Sequence, residues 1–189
     1  YNEGRKLLKI NKKIIGKMSE FIANLKTIVF SSEDLNLVYG PPAGRRTFMD
    51  QIMVQLNKDY LEELSTYKTI LKERNALLKN LKEDSDLTFL KIINKRIEKE
   101  ADKIIIKRTE FIENLNKAFK TRFKNFNKND DVEVVYQPNC ALNSLESVLN
   151  GRFKRDIFLE STSAGPHRDE LLIKFNGSLA KDIASQGQV

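Results

Sequence analysis

From Arg45 to about Phe126 the chain contains neither glycine nor proline. A stretch of that length without a helix breaker predicts long helices. Its apolar residues keep helical spacing. Tyr60, Leu64, Tyr67, Leu71, Arg74, Leu78 and Leu81 advance by alternating fours and threes, and so do Leu87, Leu90, Asn94, Ile97, Ala101, Ile104, Arg108, Phe111, Leu115, Ala118 and Arg122. Two heptad seams of this kind face each other. Between them Glu83-Asp84-Ser85-Asp86 is short, polar and rich in N-capping residues, so the chain is expected to fold back there as an antiparallel helical hairpin. A second helix of about 36 residues would run roughly 55 Å, longer than a compact domain of this size needs, and should project as an arm. Arg74, Asn94 and Arg108 interrupt the seam. Polar residues there set register or snorkel, and contact with nucleic acid is the functional alternative.

The flanks read as strands. Leu7-Leu8-Lys9-Ile10 and Lys13-Ile14-Ile15 enclose the two-residue turn Asn11-Lys12. Met18 to Leu25 is apolar at helical spacing, and Thr27-Ile28-Val29-Phe30 is β-branched and aromatic, the composition of a buried strand. Ser31 or Ser32 ahead of Glu33-Asp34 suits a short helix start, and Gly40-Pro41-Pro42-Ala43-Gly44 is the strongest break in the chain. Beyond the helices, Val132 to Tyr136 alternates as a strand and Leu142 to about Leu159 is mixed helical. Leu171 to Phe175 enters a tight turn at Asn176-Gly177. Strands, long helices, then strands predict an α+β fold, predominantly α: a sheet domain interrupted by a helical insertion. The expected divisions are 1–44, 45–160 and 161–189.

Thirty-three Lys and Arg against 26 Asp and Glu leave a net charge of +7. That excess fits a polyanion such as nucleic acid, and a Lys-, Asn- and Ile-rich composition produces it equally well. Cys140 is the single cysteine, which leaves no internal disulfide or thiolate cluster and points to a reducing cytosol; it reads as a small apolar residue. No apolar run approaches the ~20 residues of a membrane span. The opening Tyr1-Asn2-Glu3-Gly4-Arg5 resembles neither a signal peptide nor a natural start, so the chain is expected to begin within a longer protein.

Some chemistry is missing from the sequence. No stretch has the G-x-x-x-x-G-K-[ST] pattern whose backbone amides wrap phosphates, and no apolar strand ends in Asp-Glu to hold Mg²⁺. The chain alone is therefore expected to bind ATP poorly, to hydrolyse none and to carry no catalytic residue. His167 is the lone histidine, and with one neighbouring carboxylate it has too few ligands for a structural zinc site. More simply, His167, Arg168 and Asp169 form a hydrogen-bonded corner, with Arg168 a candidate phosphate contact. Arg45 and Arg46, directly after the Gly-Pro break, could clamp DNA phosphates, or could pair with Asp50 or nearby carboxylates. Near the end, Ser185-Gln186-Gly187-Gln188 combines a hydroxyl, a glycine N–H and an expected helix start, all donors toward an anion. Alone, it is also an ordinary polar turn.

Four blocks in order change the weight of these readings. Phe30-Ser31-Ser32-Glu33-Asp34-Leu35 with Gly40-Pro41 and Arg45 to Asp50, then Tyr60-Leu61 with Tyr67 and Lys72 to Asn75, then Gly165-Pro166-His167-Arg168-Asp169-Glu170-Leu171, then Ser185 to Gln188 closely resemble the bacterial RecF family. Ser32 replaces a usual proline, Glu170 a common second aspartate, and Val189 a usual glutamine. The resemblance runs from about Leu7 to Gln188. It implies part of an SMC-related DNA-repair ATPase: an ABC-type lobe with an inserted helical arm or lid, dimerising around ATP and Mg²⁺ and hydrolysing ATP weakly. In such a protein Ser185, Gln186, Gly187 and Gln188 would meet the γ-phosphate held by the opposite subunit. Ser31, Glu33 and Asp34 would stand at the Q-loop, a place plain capping by Ser31 also explains, and Arg45, Arg46, His167 and Arg168 would approach DNA. Implied partners are single-stranded or gapped DNA, RecO, RecR and a second copy, with RecA loading and SOS induction as the outcome. The rival readings are a basic coiled-coil adaptor and a small SMC-like chromosome protein.

Overall fold

The computed structural model describes residues 7–16, 29, 31–82, 84–125 and 130–183. The expected helix Met18 to Leu25, the strand Thr27 to Phe30 apart from Val29, the side chains of Ser32 and Glu33, and Ser185 to Gln188 lie outside the described residues. Strands β1 (Lys9–Ile10) and β2 (Lys13–Ile14) pair antiparallel, with Lys9 opposite Ile14. Asn11 and Lys12 take φ of 49° and 68° in the turn between them, which matches the twist of the flanking strands.

A turn of 3₁₀ helix at Ser32–Leu35 leads into α1 (Asn36–Tyr39). The break expected at Gly40 to Gly44 is interrupted early, because α2 (Pro42–Leu56) begins inside it. Pro42 stands at the first helical position, where its missing N–H removes no intrahelical bond and its fixed φ already suits the helix. Arg45 and Arg46, expected directly after the break, thus lie on the first turns of a helix that starts within it.

At Asn57, with φ −139° and ψ 112°, the backbone leaves the helical region and opens α3 (Lys58–Leu78). The Asn57 Oδ1 accepts from the N–H of Asp59 at 3.0 Å and of Tyr60 at 3.2 Å, satisfying two orphan donors of the new helix. The stretch free of helix breakers thus holds two helices ahead of the reversal. Asn57→Ala should lower the unfolding free energy by about 1 kcal/mol, seen in urea titration as a lower midpoint with an unchanged slope.

Helix α4 (Thr88–Phe123) has 36 residues and runs antiparallel to α3, with Arg74 meeting Asn94 and Tyr60 meeting Arg108. The reversal falls at the expected polar segment. There Ser85 Oγ accepts from Lys82 N–H and Asp86 Oδ1 from Thr88 N–H, each at 2.9 Å. The seam holds from Leu90 to Arg108 and then drifts: Ile105 and Ile112 are buried, while Ala118 and Arg122 are not. A straight helix departs from a strict seven-residue repeat, and α4 has neighbours on several sides. Strand β3 (Val132–Gln137) lies along its C-terminal half, where Asn116 and Val134 exchange bonds of 2.8 and 2.9 Å. Helix α5 (Leu145–Gly151) lies along its N-terminal half, where Asn94 donates to Asn150. Among the described residues α4 is a core helix, and the sheet and α5 cover flanks that a projecting arm would leave in water.

Strand β3 pairs antiparallel with β4 (Glu170–Phe175), Val132 opposite Phe175 and Gln137 opposite Glu170. The Asn176-Gly177 turn, with φ of 49° and 81°, adds β5 (Ser178–Leu179). This sheet straddles the division expected at 160/161. Helices α6 (Phe153–Phe158) and α7 (Ala180–Ile183) complete the described elements. The core joins Met49, Tyr67, Ile97, Ile104, Leu145, Leu149 and Ala164 on both sides of α4. No described helix is long and apolar enough to cross a membrane.

Candidate functional site

Two arginines that break the seam converge on one loop, residues 162–170. Arg108 is 2% exposed and Arg74 is 0% exposed, so neither snorkels. Buried guanidinium groups require carboxylates and a full set of acceptors. Arg108 donates through Nη1 to Asp169 Oδ2 and to Pro166 O, each at 2.8 Å, through Nη2 to Asp50 Oδ1 at 2.9 Å, and through Nε to the Tyr60 hydroxyl at 3.0 Å. The Tyr60 hydroxyl in turn donates to Asp50 Oδ1. Asp169 Oδ2 also accepts from the Tyr136 hydroxyl, and its Oδ1 accepts from Asn139 N–H at 2.8 Å. One carboxylate thus joins α4, β3 and the loop, and Arg108 ties in α2 and α3.

Arg74 holds the other end. Its Nε donates to Asn94 Oδ1 at 2.7 Å, and its Nη1 lies 2.8 Å from both Thr162 Oγ1 and Asp156 Oδ2. Asp156, also 0% exposed, accepts from Ser163 N–H through Oδ1. Asn75 Oδ1 accepts from the Thr162 N–H at 2.9 Å and from its hydroxyl at 2.6 Å.

Between these anchors the loop turns at Gly165, φ 122°, into one 3₁₀ turn at Pro166–Arg168. A Cβ on Gly165 would stand 2.7 Å from the Tyr67 hydroxyl, so both backbone and space demand glycine. Its N–H donates to Asn139 Oδ1 at 3.1 Å and is not offered to an anion. His167 lies 3.0 Å through Nε2 from Thr162 O and 2.6 Å through Nδ1 from the Tyr67 hydroxyl. A carbonyl only accepts, so the proton sits on Nε2 and Nδ1 accepts from Tyr67. Burial, with the cations Arg168, Arg46 and Arg74 adding to it, pushes the imidazole down to about 4. Burial raises Tyr67 above its ordinary value, which keeps it the donor.

This half-buried imidazole, with both ring nitrogens engaged, makes stability depend on pH. With an ordinary value of 6.5 and a folded value of about 4, the unfolded chain takes up a proton across that window and the folded chain does not. Stability present above pH 6.5 is therefore lost as pH falls toward 4, by an amount on the order of 2–3 kcal/mol. Denaturant titrations of wild type and His167→Gln at several pH values check this: the wild-type profile should fall more steeply between those limits.

The structure gathers Arg45, Arg46, His167 and Arg168 around the loop, in different states. Arg45 is 8% exposed; its Nη2 donates to Glu170 Oε1 at 2.9 Å and its Nη1 to Gly40 O at 2.8 Å. It braces β4 against the end of α1, and its carboxylate is Glu170, where Asp50 was the named candidate. That leaves its guanidinium no face for a phosphate. Arg46 is half-buried, with Nη1 donating to Asp169 O at 2.7 Å. Arg168 is exposed and reaches Thr162 O only at 3.5 Å. His167 is held neutral inside, so Arg46 and Arg168 are the cations of this set that retain donors toward solvent.

Elsewhere the readings separate. Ser31 N–H donates to Asp34 Oδ2 at 2.6 Å, so the carboxylate closes the 3₁₀ turn and a Ser31 cap is not needed to explain it. Asp34 lines an apolar trough of about 470 Å³ with Phe48, Ile52, Phe111 and Leu115. Cys140 is buried, and burial pushes its thiol up to about 11, which makes it unreactive. No group of three His, Cys, Asp or Glu among the described residues could hold a metal ion. The Gly165 N–H is taken by Asn139 and so is not offered to a nucleotide, and Ser185 to Gln188 lie outside the described residues. The sequence offers Asp50 as a partner for Arg45 or Arg46, whereas it pairs with Arg108, and it does not mark Tyr60, Tyr136, Asn139 and Asp156 as members of the site; the usable signal was an arginine at an apolar seam position, which requires a buried acid.

Known proteins of one kind resemble this chain in both sequence and structure. The chain is 41% identical over 181 residues to the DNA replication and repair protein RecF of Acholeplasma laidlawii, covering 94% of this chain and 51% of that protein. The RecF of Oenococcus oeni is 32% identical, with 98% and 53% covered, and that of Lactococcus lactis 35%, with 91% and 48% covered. Two solved structures of the recombination mediator protein RecF in the RecFOR pathway, RecF-ATPrS and RecF-ATP, superpose with TM-scores of 0.89 and 0.88 at 26% identity. Each match covers 98% of this chain, and 53% and 52% of the respective solved chains. The chain spans about half the length of the curated relatives it matches. No family model matches it.

Proposed function

Because this chain belongs to the RecF family over the half of such a protein that it spans, we propose that it serves DNA replication and recombinational gap repair as a DNA-contacting part of an ATP-binding protein. The observation that carries this reading is the rigid loop at 162–170. Two buried ion-pair networks fix its backbone; Arg168 stands exposed on it, and Arg46 of α2 is hydrogen-bonded to its Asp169 carbonyl. Guanidinium groups on a fixed support suit phosphate oxygens, which position a protein on DNA without reading sequence.

The finer proposal follows the family pattern. Ser185, with Gln186, Gly187 and Gln188, contacts ATP in trans and drives dimerisation, with Mg²⁺ and the phosphate-wrapping loop supplied by sequence this chain does not contain. Ser31, Glu33 and Asp34 link that nucleotide to the lobe. RecO and RecR are the partners, RecA loading on gapped DNA is the outcome, and SOS induction and a cytoplasmic location go with it. Within this scheme the chain's own residues bind and orient; none of those described moves a proton or attacks a bond. The coiled-coil adaptor reading loses support from the packing, because the seam of α3 and α4 is already closed by Asp50, Asp156 and Asp169.

Binding to fluorescein-labelled gapped DNA at low salt tests the DNA contact. Arg46→Glu with Arg168→Glu should weaken it by about tenfold or more and flatten its salt dependence; equal binding would overturn the assignment of these residues. In a full-length RecF protein carrying this sequence, Ser185→Arg should leave ATP binding intact and abolish ATP-dependent dimers in light scattering.

A further inference from the structure

Helix α6 holds its position in an unusual way. Its one fully buried residue is Asp156, paired with Arg74, while Phe158 at its end is 86% exposed and the following Leu159 is 47% exposed. A short helix ordinarily packs an apolar face inward; this one half-buries Phe153 and Ile157, is anchored by the ion pair, and turns Phe158 out. The C-terminal end is closed too. Glu160 takes φ 49°, Ser161 N–H donates to Asp156 O and Glu160 N–H to Ile157 O, each at 3.1 Å. These are the two bonds of a Schellman closure, formed here without glycine. The backbone that carries Phe158 is therefore fixed, so binding would cost the ordering of the ring and not of its helix.

The surroundings are basic. Arg152 and Arg155 are exposed on the same segment, and Arg155 precedes Phe158 by three residues, on one helix face. Over 152–160 the acids are Asp156, which is buried and paired, and Glu160. The loop carrying Arg168 continues directly from α6.

We propose that Phe158 is a stacking platform for a base of single-stranded DNA, with Arg152 and Arg155 receiving the neighbouring phosphates. The proposal rests on the DNA-contacting reading above and adds a strand preference to it. An aromatic ring among cations is how single strands are held without sequence preference, whereas a duplex keeps its base faces stacked and offers the ring nothing. An acidic protein segment would satisfy the cations equally, but the isolated ring matches a base face more closely than it matches an extended apolar groove.

The chain contains no tryptophan, so Phe158→Trp places a single reporter at the proposed contact. An oligothymidylate of about 16 nucleotides, enough to fill one single-strand site, should quench its emission at low salt, and a duplex of equal length should leave it unchanged. Phe158→Ala, at an exposed position where circular dichroism should confirm an intact fold, should weaken oligothymidylate binding by about tenfold, and Phe158→Tyr should restore it. Oligothymidylate that binds without quenching, or that binds Phe158→Ala as tightly as wild type, overturns the stacking proposal and leaves the DNA-contacting function standing. Polyglutamate that quenches as strongly as the oligonucleotide also overturns it, in favour of a protein partner. A chain that binds no DNA at all defeats both readings.

Discussion

Asp169→Ala should destabilise the fold by about 3–5 kcal/mol, the range for breaking a buried ion pair from one side. The carboxylate is 1% exposed and accepts from Arg108, from the Tyr136 hydroxyl and from Asn139 N–H. Alanine leaves a guanidinium that is 2% exposed with Asp50 as its remaining acid, and strands two neutral donors in a space too enclosed to hydrate them freely. The amide of Asp169→Asn has nearly the same shape as the carboxylate but offers one oxygen and one NH₂ group where donors approach from two sides. It should therefore recover only part of the loss. Guanidinium chloride titrations of both variants check the ordering: a loss below about 1 kcal/mol for alanine would show that the loop is held by packing instead. The same variant bears on function. If the network fixes Arg46 through the Asp169 carbonyl, DNA affinity should fall at temperatures where the chain is still folded.

Much of this site could be anticipated from the sequence, in one specific sense. Heptad counting singled out Arg74, Asn94 and Arg108 as the places where the seam is polar, and all three lie at the centre of the networks. What the count cannot supply is the partner. Asp50, Asp156 and Asp169 belong to three different elements and share no period with the arginines, so nothing local marks them. Arg45 shows the same limit. Asp50 lies five residues on, rotated about 140° around α2, which puts it on another face; Glu170, 125 positions away, reaches Arg45 because β4 packs there. Other misses were avoidable. Asn57 followed by Asp59 is a helix start that the lack of glycine and proline concealed. Two facing seams do not describe all of α4, because β3 and α5, themselves within the expected 45–160 insertion, take its remaining sides. The DNA-contact reading divides likewise: burial removes Arg45 and His167 from a phosphate, and leaves Arg46 and Arg168.

Arg74 and Asp156 offer the second large effect, and a cycle separates their coupling from the cost of their burial. Both side chains are 0% exposed, and one guanidinium nitrogen, Nη2, has no hydrogen-bond partner among the described residues. Desolvation is thus only partly offset. Asp156→Ala leaves a buried cation and an unpaired Ser163 N–H, while Arg74→Met leaves a buried anion beside Thr162, so each should cost about 3–5 kcal/mol. Arg74→Met with Asp156→Leu removes both charges at similar volume. Thr162 keeps Asn75 and the Asn94 amide keeps Asn150, so the double variant should be more stable than either single one, with a coupling of about 2–3 kcal/mol. Because α6 is anchored through Asp156, the double variant should also loosen Phe158. With the Phe158→Trp reporter added, it should then show weaker quenching by oligothymidylate at unchanged global stability relative to a matched core variant. Additive single effects would mean that α6 stands on its Schellman closure and the half-buried Phe153 and Ile157, with the ion pair a bystander to its placement.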